Sequence, residues 1–384
     1  MAFRKFFIFL LSLAILLSPV SSIHAGEHWE QVGGNGLGDP NNGLITDMLV
    51  WNGYIYAAIG NNISGARVYR SADGNTWQKV SPDGFGHATL NVATDLESFG
   101  GRLYVSTGRE VLGVVSGEIW STADGLTWTQ SGPDGLGNAN NSEFFSLTVF
   151  NNELYTGSLN NVDGAELRKT ADGNLWTQAN VDGFGDANNT GIWGLKSFGG
   201  WLWAGTGNAN NGAQVWRSAD GTTWNKFLDY ALVIPPLPGY IAVNSFSVFN
   251  NTLYWFAMNA AGAQIIERVN DAQLLGSAAG LDDVNNIWFS DDTVILGTEG
   301  YFGTRNQVTG GELWYSTDGL TGTQIGEDGF GDANNFALYA LVYKEYLYIG
   351  FSNNNTGIQI WRRYFTSSFN IITKTLPQGQ QGAS

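Results

Sequence analysis

The chain has 384 residues, with 52 glycines, 15 tryptophans, no cysteine, and 18 basic residues against 34 acidic ones. A chain without cysteine has no disulfide, no thiol nucleophile and no cysteine-ligated zinc, and a formal charge of −16 repels nucleic acid and anionic membrane surfaces. Abundant glycine and aromatic residues favour short strands and tight turns over helices.

In chain order, the first expected element is a secretory signal peptide over residues 1–25. Arg4 and Lys5 form a basic head, residues 6–17 an apolar run, and residues 21–25 a small-residue exit. Its removal leaves 359 residues (384 − 25), 16 basic against 34 acidic, and only His28 and His87 as histidines. Two histidines are too few for a multi-histidine metal site. No later run is long and apolar enough to span a bilayer, so a secreted or extracellular product with no membrane span is expected.

The rest of the chain is a repeat. "SADGNTW" ends at Trp77, "TADGLTW" at Trp128, "TADGNLW" at Trp176 and "SADGTTW" at Trp224, at intervals of 51 (128 − 77), 48 (176 − 128) and 48 (224 − 176). A degenerate fifth copy passes through residues 268–275, a sixth is "STDGLTG" at 316–322, and a seventh ends near Phe369. Each unit offers four strand-length apolar stretches, A to D, bounded by turn residues. Four strands per period of about 48 residues is the pattern of a β-propeller blade. The expected fold is therefore all-β: a single seven-bladed β-propeller of four-stranded antiparallel blades over residues 26–372, with a tail at 373–384. "HWEQV" at 28–32 matches strand D without strands A to C before it. It is expected to close the ring on the last blade, because an open ring leaves unpaired edges.

The S/T-x-D-G-x-x-W string resembles the Asp-box, or bacterial neuraminidase repeat, of sialidase-like propellers, shortened by one residue between Asp and Gly. The resemblance covers nearly the whole mature chain. It implies a structural role for Asp73, Asp124, Asp172, Asp220 and Asp318, since in that family the box lies away from the active site. It also implies a test for catalysis, because the family binds its substrate carboxylate with three arginines. Arg67, Arg109 and Arg305 lie in or beside B-to-C loops here, with Tyr301 nearby in sequence. The family's F/Y-R-I-P signature is missing.

Alternating strand direction puts the D-to-A and B-to-C loops on one face, where propeller pockets form. "DGFGDANN" at 182–189 and again at 328–335 is a D-to-A loop. Its oxygens make Asp182, Asp186, Asn188, Asp328, Asp332 and Asn334 candidate calcium ligands, calcium being the one cofactor in view. Weaker copies put Asn35, His87 and Asn138 where carboxylates stand, which favours a turn held by Asx hydrogen bonds.

On strand A, Asp47, Asp95, Ser146, Gly194, Ser245, Asn286 and Ala340 align at one position. Asp47 and Asp95 could act as a carboxylate pair on a glycosidic bond, or accept backbone N–H groups near the channel. Trp193 and Trp288 stand near the top of strand A, and with Tyr301 they are candidate ligand platforms; the alternative is inter-blade core. The leading expectation is a non-catalytic extracellular binding protein, with a glycan or a surface protein as partner and carbohydrate as the favoured ligand. The runner-up is a sialidase-type hydrolase using Asp47, Asp95, Arg67, Arg109 and Arg305. A purely structural or protein-binding role is the third reading.

Overall fold

The computed structural model describes residues 28–108, 116–230, 239–270, 273–290 and 293–365. The expected signal peptide, the tail, Phe369 and the candidate Arg109 lie outside these residues. Among the described residues there is no α-helix, and every strand pairing is antiparallel.

The first repeat consists of strands A (Asn42–Trp51), B (Tyr54–Asn61), C (Arg67–Ser71) and D (Gln78–Lys79), hydrogen-bonded in that order. The same succession follows, with B strands at Arg102–Gly108, Glu153–Leu159, Trp201–Gly207, Thr252–Asn259, Glu299–Arg305 and Tyr346–Ser352. B strands read as almost unbroken apolar runs because neighbouring repeats cover both of their faces. Tyr56, Ala57, Ala58 and Ile59 are all buried.

The turn between strands C and D is built the same way in each clear copy. In the second repeat the Thr122 hydroxyl accepts from the Gly125 amide at 2.9 Å, and Asp124 accepts from the Leu126 and Thr127 amides at 2.8 and 2.7 Å. Ser71 with Asp73, Thr170 with Asp172, Ser218 with Asp220 and Ser316 with Asp318 repeat the arrangement. These amide donors hold the Asp73 carboxyl at about 2, below its ordinary 3.8.

Gly125 is required twice over. Its φ is 73°, and a Cβ there would stand 1.9 Å from the Tyr56 hydroxyl of the preceding repeat. Tyr348 meets Gly74, Tyr104 meets Gly173 and Tyr155 meets Gly221 in the same manner. Each turn is thus a socket for the tyrosine of its neighbour, and the following tryptophan completes the joint. Trp128 Nε1 donates to the Val80 carbonyl at 3.0 Å, and Trp224 Nε1 to that of Ala179 at 2.9 Å.

The first and last described strands meet. Residues Glu30–Val32 pair with Gln359–Tyr364, Gln31 opposite Trp361, and so supply the fourth strand of the last repeat. Trp29 packs edge-on against Phe330 at 5.1 Å. That repeat in turn lies on the first: Ile45 N donates to Ser352 Oγ at 3.1 Å, and Ile45, Met48, Tyr343 and Tyr348 share one apolar cluster.

Three expected placements are corrected. Tyr301, expected beside the candidate arginines as a ligand platform, lies in strand Glu299–Arg305, 3% exposed, at the site of Tyr56, with its hydroxyl donating to Glu299 at 2.6 Å. Asn286 is a loop residue, and the hydrogen bond from Ser290 N to the Gly303 carbonyl puts Ser290 at its supposed strand position. In the last repeat Tyr339, opposite Gly350, takes the place expected for Ala340. The cause is common: the A strands of the last two repeats are built differently from the others, so alignment by letters slips there.

Candidate functional site

The D-to-A octapeptide is a turn whose oxygens are engaged by protein N–H groups. Gly183 and Phe184 both have positive φ, 54° and 56°. For a residue with a Cβ, the left-handed conformation costs roughly 1–2 kcal/mol. Phe184 stacks on Trp216 at 4.7 Å and meets Trp224 at 5.3 Å; half-burial of the ring returns about 1–1.5 kcal/mol and each aromatic contact about 0.5–1.5 kcal/mol more. Packing therefore wins, and Leu37, Phe85, Leu136, Leu281 and Phe330 hold the same φ.

Of the proposed metal ligands, Asp182 accepts from Gln178 and Asp328 from Gln324. Asp186 accepts from the Asn188 amide and from the side chains of Asn188, Asn208 and Asn211, which lower its pKa. Asp332 accepts from Asn334 and Asn353. Asn188 and Asn334 lend their oxygens to Asn210 and Asn355. Among the described residues no three His, Cys, Asp or Glu side chains gather as a metal-binding group.

Sequence reasoning overlooked the last letter of the motif. Asn189 is wholly buried, donates to the Gly183 carbonyl and to Gln214, and accepts from Asn208. Asn42, Asn141, Asn286 and Asn335 sit in the same place, facing Arg67, Glu166, Glu312 and Gln359 at the start of strand C. Burial raises the pKa of Glu312 and of its counterpart Glu118.

The carboxylate pair is also absorbed by backbone. Asp47 accepts from the Met48 amide at 2.7 Å and from Leu96 of the next repeat at 2.9 Å. Asp95 accepts from Leu96 at 2.8 Å and from Leu147 of the repeat beyond at 2.6 Å. These aspartates stitch the first three repeats together. Arg67 does not point at them: 6% exposed, it pairs with Asp39 at 2.6 Å and Asp83 at 2.7 Å. The arrangement required for a sialidase-like centre is not formed by Asp47, Asp95 and Arg67.

What the fold does assemble is a cavity of about 320 Å³ where the A strands begin, beside the D-to-A loops, and every repeat contributes to its wall. A β-bulge in each of the first five A strands inserts one extra residue: Thr46, Thr94, Phe145, Trp193 and Asn244 in turn. A bulge re-aims the side chain it adds, and all five line the cavity. Thr46 and Thr94 donate across to the Ala93 and Phe144 carbonyls.

Phe145, Trp193 and Trp288 form a continuous row, with ring centroids 5.0 and 5.2 Å apart. Trp193 fits because Gly191 and Gly207 lie beneath it; a Cβ on Gly191 would stand 1.9 Å from Nε1. Arg305 lies 5.7 Å from the Trp288 ring and 5.5 Å from that of Phe336. Asn244, 1% exposed, donates to the Phe289 carbonyl while its Oδ1 finds no partner. So the structure brings together Trp193, Trp288 and Arg305 of the expected residues. It adds Phe145, Asn244 and Phe336, which sequence reasoning missed; their only signal was departure from the repeat at shared positions.

No family model matches the chain, and no curated protein matches it. Two solved polysaccharide lyases share its fold. The lyase Uly1 is 10% identical with a TM-score of 0.51, covering 90% of this chain and 94% of its own. A PL25 ulvan lyase bound to -[GlcA(1-4)Rha3S]- is 11% identical with a TM-score of 0.51, covering 86% and 95%. At such identity the likeness is one of fold.

Proposed function

We propose that the chain is a secreted seven-bladed β-propeller, similar to Asp-box proteins, that binds a saccharide in its central cavity without cleaving it. The observation that carries this reading is the Phe145–Trp193–Trp288 row set beside the unpartnered Asn244 Oδ1 in one cavity. Aromatic faces take the apolar face of a sugar ring, while a few fixed polar atoms orient its hydroxyls. A buried amide oxygen without a partner is costly unless something donates to it. Saccharides are the first class to test because two proteins of the same fold are polysaccharide lyases. Hydrolysis by Asp47 and Asp95 lacks comparable support, since backbone amides occupy both carboxylates.

The test is a glycan array with the mature protein, with and without a chelator, followed by calorimetric titration of the best hit. Binding that falls at least tenfold in Trp193→Ala, with the product intact after incubation, supports the reading. Absence of any bound glycan under both conditions, or turnover of the hit, overturns it.

A further inference from the structure

We infer that the saccharide bears an anionic substituent, a carboxylate or a sulfate ester, received by Arg305; this rests on the cavity reading above. Arg305 is the last residue of its B strand, and the matching positions hold Gly60, Gly108, Leu159, Gly207, Met258 and Ser352. The repeat has no use for a cation there, so architecture does not explain it.

Three arginines away from the cavity show a structural guanidinium paired with carboxylate, while Arg70 and Arg217 lie over the Tyr54 and Trp201 rings. Arg67 meets two carboxylates, Arg168 meets Glu166, and Arg362 meets Glu30. Arg305 forms no ion pair among the described residues, and its buried Nε has no hydrogen-bond partner. Its neighbours are the Trp288 and Phe336 rings. Stacking holds the guanidinium plane but leaves its N–H groups unused, and a partly desolvated cation without an anion is costly. A planar fork beside an aromatic row, on the wall of a cavity, matches a bidentate oxyanion on a ring lying against that row.

The polarity also runs against the rest of the molecule. With a formal charge of −16, the surface repels an acidic polymer at long range. Selection for an anionic group must therefore be local, which suits a single fixed guanidinium on the cavity wall.

The experiment is calorimetric titration of the mature protein with matched trisaccharides: a hexuronic acid, the same with its carboxyls reduced to alcohols, and that neutral form carrying sulfate esters. The expected result is that one anionic form binds about 10- to 100-fold more tightly than the neutral one, the range of a charge-assisted contact. Which form wins distinguishes carboxylate from sulfate. Arg305→Gln should erase the difference without lowering the unfolding temperature, and Arg305→Lys should restore part of it. Equal binding of neutral and anionic forms overturns this inference and leaves the cavity reading standing. Binding of none of the three, with a neutral glycan captured on the array, overturns it in the same way. No binding of any glycan overturns both.

Discussion

Each repeat has two ends, and they obey different rules. At the C-to-D turn end, Ser or Thr, Asp and Gly recur, and the geometry recurs with them, down to the neighbour's tyrosine against the glycine. At the cavity end, the five bulge positions hold Thr46, Thr94, Phe145, Trp193 and Asn244, two hydroxyls, two aromatic rings and an amide. Repetition marks what every interface needs. Divergence at a shared position marks what only the assembled molecule needs.

The strongest way to break that contrast is to damage one turn. Gly125→Val adds a Cβ at positive φ into the Tyr56 hydroxyl, and should cost about 4 kcal/mol in chemical denaturation. Gly100→Ala has a similar φ of 55° with nothing nearby, so it should cost only about 1 kcal/mol. Equal losses would show that backbone conformation, and not the tyrosine socket, sets the requirement.

Asp47→Ala should come next, at about 3 kcal/mol, because it strands the buried Met48 and Leu96 amides. Saccharide affinity of the folded protein should be unchanged. Turnover of a bound saccharide by the wild type that is lost at full stability in Asp47→Asn would instead restore the carboxylate to catalysis.

Within the octapeptide, Asn189→Ala should cost about 2 kcal/mol, since three buried partners lose their bonds. Asn188→Ala, at a half-buried position of the same loop whose bonds water can replace, should cost under about 0.5 kcal/mol. Reversal of that order in urea unfolding would return the motif to the metal reading.

The smallest effects are opposite pH dependences at the two ends. Asp73 is lowered from 3.8 to about 2 by amide donors, so its contribution is present above pH 3.8 and is lost as pH falls towards 2. Glu118 is raised above 4.5 by burial, so it weakens the fold as pH rises through its elevated value. Gln214 occupies the matching place and keeps the bond from its tryptophan. Glu118→Gln should therefore raise stability at pH 7 by under about 1 kcal/mol and leave it unchanged near pH 4. Thermal unfolding at the two pH values checks the sign.

Much of this was readable from letters because repeats sample one environment many times. The turn residues, the strand order and the use of residues 28–32 as a last strand all followed from the period and from a spare "WEQV". Reading failed where a copy diverged. The late A strands shifted the alignment at Asn286, Tyr301 and Ala340, and Asn189 was passed over in favour of the more obviously charged Asp182 and Asp186.

The sequence alone determined the all-β character, the repeated unit and the residues of its turns, because those depend on neighbours within one unit or the next. Only the tertiary structure decided which side chains meet across the middle. Phe145, Trp193, Asn244 and Arg305 are far apart in the chain, and a one-residue bulge sets the face on which the first three emerge. That choice depends on hydrogen-bond register between strands, which no short window of residues encodes.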